Sequence, residues 1–110
     1  MIIDKEGGIS IVFQENTSLS GFLQNLKEAY PGLKHENLII NLFSLSGLTP
    51  AELLKFLELS DKHRANKKSF VLVTNKVSYE DVPEELLVVP TLQEAKDIIE
   101  MEEIERDLEL

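Results

Sequence analysis

The sequence predicts an α/β fold with one mixed, mostly parallel sheet of about four or five strands and three or four helices. Short segments rich in aliphatic residues alternate along the chain with segments whose apolar residues recur at helical spacing. The chain of 110 residues also has the length of a single domain, and no repeat or low-complexity linker divides it. The predicted element order is ββαβαβ(α)βα, with right-handed crossovers between the parallel strands.

The first half of the chain predicts a hairpin, a helix and a buried strand. The β-prone segments 2–3 and 9–13 flank a Gly-Gly pair, and glycine allows the positive φ that a tight hairpin needs. Ser18 is suited to cap a helix, which a Tyr-Pro-Gly sequence ends. Residues 38–42 are almost wholly apolar, so they predict a strand that is buried on both faces of the sheet.

In the second half, strands again alternate with helices. The pattern predicts a helix over residues 50–64, a strand over 70–73, a short irregular helix or loop over 77–85 and a strand over 86–89. Thr91 and Glu94 have capping-box spacing, which predicts a final helix directly after Thr91. Thr49 and Glu52 have the same spacing, and Pro50 suits the first position of the helix that they would open.

Composition excludes several classes of function. The chain has no cysteine, which excludes disulfide scaffolds, cysteine-ligated metals and thiol nucleophiles. A formal net charge of -9 opposes binding to nucleic acid and to anionic membrane surfaces. The start lacks the basic and apolar regions of a secretory signal, and no apolar run approaches the ~18 residues of a membrane span. We therefore expect a soluble, cytoplasmic protein.

One stretch of the chain concentrates its basic residues: Lys62, His63, Arg64, Lys67 and Lys68. Cations near a helix C-terminus complement the helix dipole, so we interpret this stretch as a solvated helix end. A patch that binds RNA or phosphate is the alternative, but no aromatic residues interleave with the cations to stack on bases.

The element order and the stretches "NLIINL", "SFVLVTN" and "VVPTLQEAKDIIE" resemble the STAS domain of anti-sigma-factor antagonists. The resemblance runs from about residue 9 to residue 103. It implies a STAS-like fold, with residues 1–110 as one domain and an acidic helical extension over about 100–110. In that family the third strand leads into Asp-Ser-Ser-Gly-Leu, and a serine at the start of the next helix is phosphorylated.

Two alignments of that motif compete. One places residues 44–48 on Asp-Ser-Ser-Gly-Leu, whereas the ungapped one places residues 49–53 there. The capping signals at Thr49 favour the second alignment. Pro50 and Ala51 then replace the two serines, and Glu52 replaces the glycine. Since proline and alanine accept no phosphate, this degenerate motif, Thr49-Pro50-Ala51-Glu52, predicts that the serine switch is absent.

Two segments are candidates for binding a partner protein. The first is the loop before the degenerate motif, made of Ser44, Leu45, Ser46, Gly47 and Leu48. The second is a set of apolar residues in the final helix, Met101, Ile104 and Leu108. Their spacing of three and four resembles the seam of a helix pair, which would suit a partner or a homodimer. The alternative is a helix that packs on the sheet through Leu92, Ala95, Ile98 and Ile99 and then frays into an acidic tail.

No arrangement typical of catalysis is found. The pairs Glu84-Glu85 and Glu102-Glu103 fall where solvent-facing charge is expected, and neither His35 nor His63 has a partner at metal-ligand spacing. We therefore expect no enzyme activity, no metal and no cofactor. The resemblance predicts a protein-interaction module whose partner is a regulator such as an anti-sigma factor. A structural subunit or homodimer that assembles through the acidic helix is the alternative.

Overall fold

The computed structural model describes residues 1–109 and contains a five-stranded sheet. Its strands are β1 (Ile2–Glu6), β2 (Ile9–Phe13), β3 (Asn37–Asn41), β4 (Phe70–Val73) and β5 (Leu87–Val89). They are arranged in the order β1-β2-β3-β4-β5, with β1 antiparallel to β2 and each later pair parallel. The predicted α/β class with a mixed, mostly parallel sheet is therefore confirmed. Leu110, the last residue of the predicted extension, lies outside the described residues.

Helical segments connect the strands in the predicted order. The α-helices are α1 (Leu19–Ala29), α2 (Pro50–Leu53), α3 (Leu57–Ala65) and α4 (Leu92–Leu108), and the short 3₁₀ turns are Tyr30–Gly32, Leu54–Phe56 and Tyr79–Asp81. The helix predicted over residues 50–64 is thus tightened by a 3₁₀ turn between α2 and α3. Over residues 1–109, no helix is both long and apolar enough to cross a membrane.

The hairpin between β1 and β2 depends on two glycines. Gly7 has a φ of 51° and Gly8 a φ of 84°, and positive values at both central residues are what a tight two-residue hairpin turn requires. A side chain at either position would be strained. The first strand extends to Glu6, beyond the apolar residues 2–3 that predicted it.

The boundaries of two other strands differ by one residue from the prediction. β3 begins at Asn37 and ends at Asn41, because Asn37 pairs with Ile9 of β2 at the start of the ladder. β5 begins at Leu87, since the backbone N–H of Leu86 turns back to the carbonyl of Pro83, 3.0 Å away. A pattern of apolar residues does not identify a polar residue at the end of a strand, such as Asn37 in β3.

The two faces of the sheet are covered by different helices. Alternate strand residues point to opposite faces, so Leu38 and Ile40 contribute to one apolar cluster and Ile39 to another. The first face, which we call the large-core face, is packed by α1, α2 and α3. The second, which we call the α4 face, is packed by α4 alone. Since all three of these β3 residues are fully buried, the prediction that the strand is buried on both faces is confirmed.

Candidate functional site

At the junction between β3 and α2, the helix begins at the residue that the capping signals predicted. The helix begins at Pro50, and Thr49 is its N-cap. The Thr49 hydroxyl accepts the backbone N–H of Glu52 at 3.3 Å, and the Glu52 carboxylate accepts the backbone N–H of Thr49 at 3.2 Å. Both halves of a capping box are therefore present, and such a cap contributes about 1 kcal/mol. The Thr49 hydroxyl is engaged in this local structure.

Hydrogen bonds hold the loop that leads from β3 to this cap. The Asn41 side chain accepts the backbone N–H of Phe43 at 3.0 Å, and the Ser44 hydroxyl donates to the carbonyl of Gln14. The Gln14 side chain in turn accepts a hydrogen bond from Asn25 of α1, at 3.0 Å. Asn41, which follows the apolar residues of β3, thus closes a local turn, and the loop is tied to the end of β2 and to α1.

Two of the five loop residues proposed to bind a partner are core residues. The side chains of Leu45 and Leu48 are only 4% and 7% exposed and belong to the cluster on the large-core face. Their side chains therefore do not lie on the partner-binding surface that the sequence predicted. The reason is that the loop crosses the carboxyl end of the sheet, where its leucines close the core. Ser44, Ser46 and Gly47 remain exposed, and Gly47 has a φ of 69°, which favours glycine.

Apolar residues are exposed near this loop, and two of them, Phe43 and Leu54, were not singled out as site residues by the sequence analysis. Phe43 is 43% exposed and Leu54 is 44% exposed, and Pro50 and Ala51 are also on the surface. We call Phe43, Pro50, Ala51 and Leu54 the junction surface. Leu54 could have been recognised, because two adjacent leucines in a helix point in different directions and Leu53 is fully buried.

The first half of α4 packs on the sheet as predicted. Ala95 and Ile99 are buried, and Leu92 and Ile98 are partly buried against the same cluster. Thr91 caps this helix by accepting the backbone N–H of Glu94 at 3.1 Å. The Glu94 carboxylate is bound by the Thr91 hydroxyl at 3.3 Å. The threonine half of the predicted capping box is thus present.

The second half of α4 is held by polar contacts. The Glu102 carboxylate accepts hydrogen bonds from Ser69 at 2.6 Å and from Arg64 at 3.0 Å. The Glu103 carboxylate accepts one from Asn37 at 2.6 Å. Arg106 donates to the Ser69 hydroxyl, at 3.1 Å. Glu103 is exposed, as expected for a solvent-facing charge, although it also binds Asn37, whereas Glu102 is only partly exposed. The two carboxylates thus contact the amino ends of β3 and β4, which the sequence did not predict.

These contacts determine which side of α4 faces solvent. Met101, Ile104 and Leu108 are 59%, 55% and 81% exposed, on the side away from the sheet. The helix continues through these residues to Leu108 and does not end near residue 100, as the fraying alternative implied. The polar contacts are at the amino ends of the parallel strands, whereas the β3–α2 loop is at their carboxyl ends. The two candidate segments therefore lie at opposite ends of the strands.

The basic stretch at the end of α3 does not form one solvated patch. Lys62 and Lys67 are exposed, but His63 is fully buried, and Arg64 binds the carboxylate of Glu102. His63 is therefore a correction to the predicted solvated helix end. It packs between Tyr30 and Phe70 on the large-core face.

Both ring nitrogens of His63 have partners. Nε2 lies 2.7 Å from the carbonyl of Glu36, which can only accept, so Nε2 carries the proton. Nδ1 then accepts from the Tyr30 hydroxyl, 2.7 Å away. Burial lowers the pKa of His63 below its ordinary value, with smaller contributions from the charges of Lys68 and Arg64, while the bond to Glu36 opposes the shift. The burial of Tyr30 likewise raises the pKa of its hydroxyl.

An open cleft of about 660 Å³ lies beside α4, where β4 and β5 end. Its apolar walls come from Val77, Tyr79, Val88, Val89 and Ile98, and Lys76, Glu94 and Asp97 bring charges of both signs to it. Among residues 1–109, no group of three or more His, Asp or Glu side chains is placed to hold a metal ion. Sequence patterns did not indicate this cleft, because its residues come from three separate segments.

Comparison of the sequence with protein-family models finds no match, and no curated protein matches it.

Proposed function

We propose that the chain is a non-enzymatic protein-interaction module of the STAS type, which binds a regulatory protein such as an anti-sigma factor in the cytoplasm. The proposed contact is the junction surface with the exposed loop residues Ser44, Ser46 and Gly47. In this proposal the module binds its partner constitutively, without a serine switch.

One observation carries the proposal, namely the capping box at Thr49. The capping box starts the helix at Pro50, so Pro50 and Ala51 lie in its first turn. Neither has a hydroxyl, whereas the STAS domains that the chain resembles have serines at these positions. Phosphorylation of such a serine adds ~1.5 to 2 negative charges to the binding surface. Because Pro50 and Ala51 cannot be modified in that way, we expect this surface to keep one charge state.

The composition and rigidity of the junction surface also support a protein partner. An exposed phenylalanine is a residue type that often contributes strongly to protein interfaces, and Phe43 stands beside a loop that is held by hydrogen bonds. A loop that is already ordered loses little conformational entropy when it binds. The surface is thus suited to a preformed contact.

The central test places a charge where the family places its phosphate. Ala51→Glu adds one negative charge in the first turn of the helix, where an acidic residue suits the helix dipole and should not disturb folding. We expect affinity for a partner, first captured by wild-type protein and then purified, to fall at least about tenfold, or by ~1.4 kcal/mol. The measurement is isothermal titration calorimetry on the purified pair.

His35→Glu is the matched control for this experiment. His35 is exposed and precedes β3, so it lies at the amino ends of the strands, away from the junction surface. Its replacement by glutamate makes a similar change of charge. We expect it to leave affinity unchanged. Equal loss in both variants would indicate a general charge effect and would contradict a contact at the junction surface.

Intact-mass spectrometry of protein purified from its native cells tests the constitutive part of the proposal. We expect no phosphorylated species. Stoichiometric phosphate on Ser46 or Thr49 would show that a hydroxyl near the junction is used as a switch after all.

A further inference from the structure

We infer that the outer side of α4, formed by Met101, Ile104 and Leu108, binds an amphipathic helix of a partner whose flanking residues are basic. We call these three residues the outer stripe. The inference does not depend on the junction surface, which lies at the carboxyl ends of the strands.

The geometry of α4 makes the outer stripe unusual for a surface helix. Ile104 lies nine residues after Ala95, and Leu108 lies nine residues after Ile99. Nine residues correspond to about two and a half turns, so the outer residues point away from the buried ones. A surface helix usually has one apolar stripe and a polar opposite side. The second stripe is what a helix covered on both sides requires.

Polar contacts prevent α4 from rotating to bury this stripe. Glu102, Glu103 and Arg106 all bind side chains at the amino ends of β3 and β4. Those sheet residues, Asn37 and Ser69, are 2% and 0% exposed. Turning the outer stripe toward the sheet would break these bonds and leave the buried polar groups unpaired, which is costly. The stripe is therefore held outward.

Charge decides which kind of helix fits the outer stripe. Glu100, Glu105 and Asp107 are exposed on this half of α4, whereas its one basic residue, Arg106, is bound to the sheet. A second copy of the chain would oppose acidic residues to acidic residues and would bring a second net charge of -9. A helix with an apolar stripe flanked by lysine or arginine meets both features of the surface.

The probe is a synthetic, fluorescently labelled peptide of leucine and lysine, about 18 residues long, with its leucines on one helical face. A second peptide has the same composition in an order that forms no apolar face. We expect the first to bind the full chain at least about tenfold more tightly than the second in fluorescence anisotropy. Binding should weaken as ionic strength rises from about 0.05 M to about 0.5 M.

Two variants locate the binding. Ile104→Ser with Leu108→Ser replaces two of the three residues of the outer stripe and changes none of the residues that make the polar contacts of α4, and we expect at least about a tenfold loss of affinity. Phe43→Ser with Leu54→Ser removes the same number of exposed apolar residues from the junction surface and should leave peptide affinity unchanged. Circular dichroism and the midpoint of urea unfolding establish that both variants fold.

Three results would overturn the inference. The first is equal binding of the two peptides, or of the peptide to wild type and the stripe variant, since the attraction would then be non-specific. The second is absence of binding by the amphipathic peptide. The third is a dimer of the chain in sedimentation equilibrium that the stripe variant abolishes, because a second copy would then be the occupant. Partner binding at the junction surface is measured separately, so its failure is distinguishable.

Discussion

The two faces of the sheet are stabilised in different ways. On the large-core face, α1 and the helical stretch of α2 and α3 bury a cluster that includes the aromatic rings of Phe22, Phe56 and Phe70. On the α4 face, a single helix buries a much smaller apolar cluster and then continues over side chains bound by hydrogen bonds. Apolar packing dominates one face, whereas the other combines packing with polar contacts.

The difference teaches how a single helix can be oriented. Apolar contacts are non-directional, and α4 has apolar residues on two sides, so burial alone does not select which side faces the sheet. Hydrogen bonds have defined geometry. The contacts of Glu102 and Glu103 with Ser69 and Asn37 therefore select the orientation, and they leave the outer stripe in solvent.

The largest effect is expected from a cavity in the large-core face. Phe56→Ala removes a fully buried ring that packs edge-on against Phe22, and we expect the free energy of unfolding to fall by about 3–5 kcal/mol. Urea denaturation followed by circular dichroism measures it. Leu54→Ala, two residues earlier but exposed, is the matched control and should change stability by no more than about 0.5 kcal/mol. Similar losses in both variants would mean that this face is not the main core.

A smaller effect is expected from the polar contacts on the α4 face. Asn37→Ala removes the acceptor of the Ser69 backbone N–H, 2.8 Å away, and the donor to Glu103. Leaving the buried backbone N–H of Ser69 unpaired should lower the free energy of unfolding by about 1–3 kcal/mol. Hydrogen exchange should also become faster in the second half of α4 than in its first half. The exposed Asn75, replaced by alanine, is the control; unchanged exchange in Asn37→Ala would argue that apolar packing alone orients the helix.

The smallest effect near neutral pH is expected from His63, a buried titratable residue that packs on the large-core face. Its pKa is lowered in the folded state, so below pH ~6.5 the unfolded chain binds a proton that the folded chain does not. Its contribution to stability is therefore full above pH ~6.5 and is lost as pH falls toward the folded pKa. Unfolding free energies measured between about pH 5 and pH 7.5 should decline on the acid side.

Two variants assign this decline. His63→Gln should be less stable at neutral pH, because it disturbs the bonds with Tyr30 and Glu36, but it should flatten the decline. His35→Gln, at an exposed position, should keep the wild-type profile. A flat wild-type profile, or a flattened one in the His35 variant, would contradict the assignment to His63.

Local features of this chain could be predicted because their partners are close in sequence. Ser18, Thr49 and Thr91 each accept a backbone N–H three residues later, and the paired glycines form the hairpin turn. Such contacts form within one turn of chain, so residue type and spacing identify them. They predicted the start of α2, and with it the absence of serine from its first turn.

Distant contacts could not be predicted in this way. Asn37 and Glu103 are separated by 66 positions, and Tyr30 and His63 by 33. A glutamate in a helix or a histidine near a run of lysines is usually exposed, so residue type alone predicted no buried partner for Glu103 or His63. Leu45 and Leu48 were predicted to bind a partner because their loop precedes the degenerate motif, although their side chains close the core.

By itself, then, the sequence determined the order of the elements, the caps that start the helices and the turn that pairs the first two strands. All of these depend on local propensity and on the periodicity of apolar residues. Only the tertiary structure decided which leucines of the junction loop are buried, how α4 is oriented and where a histidine is excluded from water. These features depend on contacts between side chains that are distant in sequence and come together only when the sheet assembles. No local sequence pattern indicates such contacts.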